Sequence, residues 1–119
     1  MGIAKEKAEK MILWDDFEKI EMRVGTILKA EKFPEAKKPV YKLEIDFGEY
    51  GIKKSSAQIT DLYSTAELVN RQVIAVTNFP SKQIAHFSSE CLVLGVILAD
   101  RTVVLLQPEQ IVGNGLRIA

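Results

Sequence analysis

At 119 residues the chain holds one domain with a buried core and leaves no room for a second of ordinary size. Hydrophobic residues make up 47% of it and charged residues 27%, which excludes disordered and fibrous classes. Sixteen Lys and Arg stand against sixteen Asp and Glu, which excludes the whole-molecule positive field of a sequence-independent nucleic-acid binder, so any polyanion site must be local.

Residues 4 to 14 predict an amphipathic helix, with Ala4, Ala8, Met11 and Ile12 at helical spacing and Lys and Glu on the other face. Its apolar stripe is thin, so it is expected to dock on something. Asp15 or Asp16 is placed to cap a second short helical turn reaching Ile20, with Phe17 and Ile20 turned inward. From Met22 to Lys29 β-formers dominate, and Gly25 marks an expected bend or bulge. Tyr41 to Phe47 then alternate strictly, with Tyr41, Leu43, Ile45 and Phe47 on one face and Lys42, Glu44 and Asp46 on the other. Gly48 to Gly51 supply a turn, and Ile52 to Ile59 return as the antiparallel partner of a hairpin. Ser64-Thr65-Ala66-Glu67 matches a capping box for one short helix ending near Val69, with Asn70 suited to a left-handed terminus. Val73 to Thr77, Cys91 to Leu98 and Thr102 to Leu106 read as further strands, the last two joined by a turn at Asp100-Arg101. Five or so strands with a helix between the third and fourth is the pattern of an all-β, five-stranded Greek-key barrel, the OB-fold. The expected organisation is a helical extension over residues 1–16 followed by the barrel over 17–119.

The segments Ile20 to Ile27, Phe33 to Pro39, Tyr41 to Leu43, Ile45 to Gly48 and SSAQIT at 55 to 60 together resemble the EMAP-II-type tRNA-binding domain family, over about residues 17 to 119. Further features are similar to its stand-alone branch, the CsaA-type export-related chaperones. They are KKPVYKL at 37 to 43, SSAQIT where tRNA-binding relatives carry a Ser-Gly pair, Asn78-Phe79-Pro80, Ser89-Glu90, and Val103 to Pro108. The resemblance implies an OB-fold, a two-fold homodimer built with help from terminal segments, a groove that accepts peptide in the service of protein secretion, and a remnant of tRNA binding. Asn70, His86 and Cys91 depart from the small or aliphatic residues usual there and bear on turns and packing.

Phe33, Tyr41 and Phe79 lie beside prolines or a loop, where exposed rings would form a peptide pocket or a base-stacking platform; Phe87 closes the same region. For Tyr41 the alternative is core, because it shares its strand face with Leu43, Ile45 and Phe47. Ser55, Ser56, Gln58 and Asn78 combine donors and acceptors suited to a peptide backbone or to nucleotide edges, with Ser89 and Glu90 on the same rim or in a plain turn. Arg23 either grips a phosphate or carboxylate with two prongs or is a surface arginine paired with a glutamate. Lys29, Lys32, Lys37, Lys38 and Lys42, with Lys53 and Lys54 on the next strand, outweigh Glu31 and Glu35 and form a basic patch or an ordinary solvated face.

No catalytic constellation is discernible. His86 is the single histidine and Cys91 the single cysteine, so neither a metal cluster nor an intrachain disulfide is expected, and no cofactor is implied. No apolar run has membrane or signal-peptide length, and the expected compartment is the reducing cytoplasm. The expected function is that of a homodimeric chaperone binding unfolded or precursor polypeptides without nucleotide hydrolysis, with the pocket at Phe33, Tyr41, Ser56, Gln58, Asn78, Phe79 and Phe87. The rival is a tRNA-binding module acting in trans, with Arg23, Lys37, Lys38, Lys53, Ser55 and Ser89 as its polar rim. Enzyme activity ranks below both.

Overall fold

The computed structural model describes residues 10–119. Of the helix expected over 4 to 14, residues 4–9 lie outside the described part, and residues 11–13 form no helix. The first helix, α1, is Trp14–Glu18. Asp16 caps it by accepting the Leu13 N–H at 2.9 Å. One and a half turns cannot carry an apolar stripe, so no residue of α1 is fully buried and Ile20, expected inward, is exposed.

Strand β1, Met22–Lys32, is longer than expected because it serves two partners in turn. Its first half pairs with β4, Gln72–Val76, and its second half with β2, Tyr41–Asp46. The register shift falls between Ile27 and Lys29, away from Gly25. Gly25 has a packing reason instead: a Cβ there would meet Ile45 Cγ2 at 2.6 Å and the Phe47 ring at 2.7 Å. Strand β3, Ile52–Ala57, returns from β2 through a 3-10 turn at Gly48–Tyr50. The short helix α2, Thr65–Leu68, has both halves of its capping box, Ser64 Oγ accepting the Glu67 N–H at 3.2 Å and the Glu67 carboxylate accepting the Ser64 N–H at 2.8 Å. Asn70, with φ +72°, terminates it as the sequence predicts.

Two elements differ from expectation. A hairpin of β5, Lys82–Ile84, and β6, Phe87–Ser89, had no sequence signal, being short and polar. The apolar run from Cys91 to Leu98 divides into β7, Leu92–Val93, which pairs with β4, and β8, Gly95–Ile97, which pairs with β9, Val103–Leu105. The main sheet runs β3-β2-β1-β4-β7 and curls into a nearly closed antiparallel barrel, an OB-fold. Its core centres on Ile27, Leu43, Ile45, Phe47, Leu68 and Val73, all fully buried, each contributing about 1.5–3 kcal/mol of apolar burial. Among the described residues no helix is long and apolar enough to cross a membrane.

Candidate functional site

Alternation along β2 turns Tyr41, Leu43 and Ile45 into the core and leaves Lys42, Glu44 and Asp46 outside. Register then sets Lys42 between Glu31 and Ser56, and Glu44 between Lys29 and Lys54. The outer face of β1, β2 and β3 is therefore a lattice of alternating charge. Lys29 meets Glu31 at 2.7 Å and Lys42 approaches the same carboxylate at 3.9 Å. That contact lowers the Glu31 pKa through the hydrogen bond and charge of Lys29, and raises the Lys29 pKa in return.

An aromatic pair borders this lattice. Phe33 and Phe87 stack edge to face with centroids 5.6 Å apart, Phe33 almost wholly buried and Phe87 half-buried. The Lys42 ammonium lies 5.1 Å from the Phe33 centroid and 6.0 Å from that of Phe87, and the Lys54 ammonium is also 6.0 Å from the Phe87 centroid. Lys29, Glu31, Lys42, Glu44, Lys54 and Phe87 line a groove of about 220 Å³, room for one or two side chains. Three ammonium groups face two carboxylates there, so the groove is mildly basic and strongly patterned. Glu44 is the lining residue that sequence reasoning passed over, although strict alternation had already set it beside Lys42.

The serine-rich motif does something else. Ser55 is fully buried and its hydroxyl donates to the Cys91 carbonyl at 2.8 Å. The Ser56 N–H donates to Ser89 Oγ at 3.1 Å, the Lys54 N–H to the Glu90 carboxylate at 2.9 Å, and the Glu90 N–H to the Lys54 carbonyl at 2.7 Å. These bonds close the barrel between β3 and residues 89–91, side chains standing in where a regular ladder is missing. Ser55, expected on a ligand rim, thus faces the chain's own backbone. Cys91 is sealed in the same seam, and burial pushes its thiol up to about 11. The Ser56 and Gln58 side chains remain accessible beside the groove, Gln58 just beyond the end of β3.

Arg23 is also turned inward. It is 8% exposed, donates to the Gly115 carbonyl at 2.9 Å, pairs with Glu21 at 3.1 Å and stacks on the Tyr50 ring at 3.7 Å. Its expected partner glutamate is present, yet the residue is buried because the C-terminal segment covers it. Asn78 sits at the same end of β1, accepting the Glu21 N–H at 3.0 Å and donating to the Lys19 carbonyl at 2.7 Å. Phe79 beside it is more than half exposed. Pairing of Met22 with Val76 and of Lys32 with Tyr41 sets Asn78 and Phe79 at the opposite end of β1 from Phe33 and Phe87, so the expected residues divide between two places. Tyr41 is core, its hydroxyl donating to the Tyr63 carbonyl at 2.8 Å. Lys37 and Lys38 are exposed in the β1–β2 loop, and Lys53 points to the opposite face of β3 from Lys54. Among the described residues no group of acidic, histidine and cysteine side chains could hold a metal.

Residues 22–117 match the family described as "Putative tRNA binding domain". A solved CsaA chaperone of Bacillus anthracis is 49% identical, with a TM-score of 0.87 over 92% of this chain and 99% of that one. The CsaA chaperone protein of Picrophilus torridus is 54% identical, with a TM-score of 0.86 over 92% of this chain and 100% of that one. A MetRS related protein of Pyrococcus horikoshii is 31% identical, with a TM-score of 0.80 over 92% and 100% of the two chains. Among curated sequences, the methionine–tRNA ligase of Methanococcoides burtonii is 33% identical over 84% of this chain, which spans only 14% of that ligase.

Proposed function

Since the chain belongs to the tRNA-binding domain family and, within it, to the CsaA type, we propose that it is a homodimeric chaperone that binds extended segments of unfolded or precursor polypeptides in the cytoplasm without nucleotide hydrolysis. The observation that carries this reading is the outer face of β1, β2 and β3, where the Phe33–Phe87 pair adjoins a lattice of both charge signs. Apolar client side chains would seat against Phe87, and client charges of either sign would find a partner among Lys54, Lys42 and Glu44. Ser56 and Gln58 supply hydrogen bonds to the client backbone. A face carrying carboxylates repels a continuous phosphate backbone at those positions but not a polypeptide of mixed charge. The dimer reading is supported by Met11, Ile12, Leu13 and Trp14, four consecutive large apolar side chains each 67–82% exposed, since a contiguous apolar run on the surface marks an interaction site. Two identical faces would gain from avidity, since the second contact becomes intramolecular once the first forms. Light scattering on the purified protein, together with aggregation of a chemically denatured client, tests both halves. A dimer at micromolar concentration that delays aggregation is expected; a monomer that leaves it unchanged overturns the reading.

One observation favours tRNA as an alternative ligand: Lys42 and Lys54 both lie 6.0 Å from the half-buried Phe87 ring, which sets two cations suited to phosphates beside an accessible aromatic. Burial of Arg23 moves the relevant test to those two lysines. If tRNA is the ligand, affinity falls steeply with salt and drops on Lys42→Ala with Lys54→Ala, while denatured polypeptide does not compete.

A further inference from the structure

The chain holds three asparagines, and Asn114 alone is followed by glycine; Asn70 precedes Arg71 and Asn78 precedes Phe79. Asn-Gly is the dipeptide most prone to modify itself, because glycine lets its backbone nitrogen swing onto the preceding side-chain amide with no side chain in the way. The structure sets this pair in a turn against the barrel wall. There the reacting groups are held apart from one another. Asn114 Oδ1 accepts from Thr26 Oγ1 at 2.8 Å and from Gln72 Nε2 at 3.2 Å, while the Gly115 N–H, the nucleophile, donates to the Val24 carbonyl at 2.7 Å. Gly115 is buried, with φ +91°. Among the described residues Asn114 Nδ2, the leaving group, is the one participant without a hydrogen bond.

The chain on either side of the turn is anchored independently. Before it, Gln72 Nε2 donates to the Val112 carbonyl at 2.7 Å and Gln72 Oε1 accepts the Val112 N–H at 3.1 Å. After it, the Val24 N–H donates to the Leu116 carbonyl at 3.0 Å, the Ile118 N–H to the Met22 carbonyl at 2.8 Å, and Arg117 Nη2 to the Glu18 carbonyl at 2.7 Å. The turn can therefore lift from Thr26 and the Val24 carbonyl by a local opening that leaves the barrel in place.

We infer that Asn114-Gly115 is a deamidation site gated by the seating of this turn, inert while seated and reactive each time it lifts. The freed Gly115 nitrogen bonds to Asn114 Cγ, the Cγ–Nδ2 bond breaks, and Nδ2 leaves as ammonia with the proton that Gly115 gives up. Water then opens the cyclic imide at either carbonyl to aspartate or isoaspartate, with no oxidant, reductant or cofactor. The two products meet the seat differently. Aspartate keeps an acceptor for Thr26 and Gln72, and Arg23, which already holds the Gly115 carbonyl at 2.9 Å, stands beside the new charge. Isoaspartate lengthens the main chain by one atom between two fixed anchors. The excess has no room, since even a Cβ on Gly115 would strike the Phe47 carbonyl oxygen. An isoaspartyl chain thus stays lifted, a permanent record of a transient opening.

The test follows the full chain at mildly alkaline pH, folded and in denaturing urea, by peptide mass mapping, with isoaspartyl methyltransferase labelling to tell the products apart. Conversion should occur at Asn114 ahead of Asn70 and Asn78, and at least about tenfold more slowly in the folded chain, a protection that needs only about 1.4 kcal/mol of seating. Thr26→Val, which deletes one bond to Asn114 at similar volume, should quicken the folded-state reaction severalfold and leave the unfolded rate alone. Sub-denaturing urea should do the same without a substitution. In Asn114→Asp the Val24 amide should exchange hydrogen as slowly as in the wild type, and in the purified isoaspartyl chain at least about tenfold faster. Conversion first at Asn70 or Asn78 overturns the site. Equal rates in folded and unfolded chains overturn the gate, as does a folded-state rate that neither Thr26→Val nor sub-denaturing urea moves. An isoaspartyl chain whose Val24 amide is as protected as the wild type's overturns the distinction between products.

Discussion

The two ends of β1 use the same polar residue types to opposite ends. Near Lys32, charged and hydroxyl side chains on β1, β2 and β3 stand outside the barrel with water on one side and a phenylalanine pair beside them. Near Met22, the guanidinium, carboxamides and hydroxyl of Arg23, Gln72, Asn78 and Thr26 turn onto the chain's own C-terminal segment and loops. The difference is one of competition. A buried donor with a backbone carbonyl in reach is committed to stability, since losing that partner costs about 1–3 kcal/mol, whereas an exposed ammonium exchanges water for ligand at little cost to the fold.

Substitutions at the Met22 end should therefore unfold the protein, and those at the groove end should only empty it. Gly115→Val forces a β-branched residue into a left-handed backbone position and against the Phe47 carbonyl, and should cost about 3–5 kcal/mol in urea denaturation. A loss under about 1 kcal/mol would mean that Gly115 does not pack against the Phe47 carbonyl. Arg23→Ala abandons the Gly115 carbonyl and the stack on Tyr50, and should cost about 2–3 kcal/mol while client affinity per folded molecule stays unchanged. The reverse pattern, weakened affinity at unchanged stability, would move Arg23 to the ligand side of the comparison.

The barrel seam adds a pH test. Burial raises the Cys91 thiol from its ordinary 9.0 to about 11, so on raising pH the unfolded chain releases this proton first. The associated stability is complete below pH 9 and is lost as pH climbs toward 11, by about 2 kcal/mol, and Cys91→Ala should abolish that part of the alkaline decline. The smallest stability effect belongs to the groove. Lys42→Ala with Lys54→Ala should change unfolding free energy by no more than about 0.5 kcal/mol, yet weaken client binding about tenfold in a fluorescence titration.

Much of the barrel was legible because its signals are local. Strict alternation from Tyr41 to Phe47 set the inner and outer faces of β2, and with them Lys42 and Glu44. Ser64 and Glu67 announced α2, and Asn70 its end. The bulge was misassigned to Gly25 because a glycine in a strand suits either a kink or a close contact, and only the Phe47 ring distinguishes them. The run from Cys91 to Leu98 looked continuous because apolar spacing does not reveal a change of partner from β4 to β9. Of the candidate site, Phe33, Phe87, Lys42, Lys54 and Ser56 gather on one face, while Asn78 and Phe79 belong to the far end of β1.

The sequence by itself determined the fold, the family and the existence of polar clusters at strand ends, since periodicity, capping residues and motif spacing are written within a few residues of one another. Tertiary structure alone decided what each cluster serves. The partners of Ser55 and Arg23 lie 36 and 92 residues away, and no local pattern says which strand edge will close on which segment. A serine or arginine has the same donors whether it meets a ligand or its own backbone; burial and the nearest carbonyl settle which.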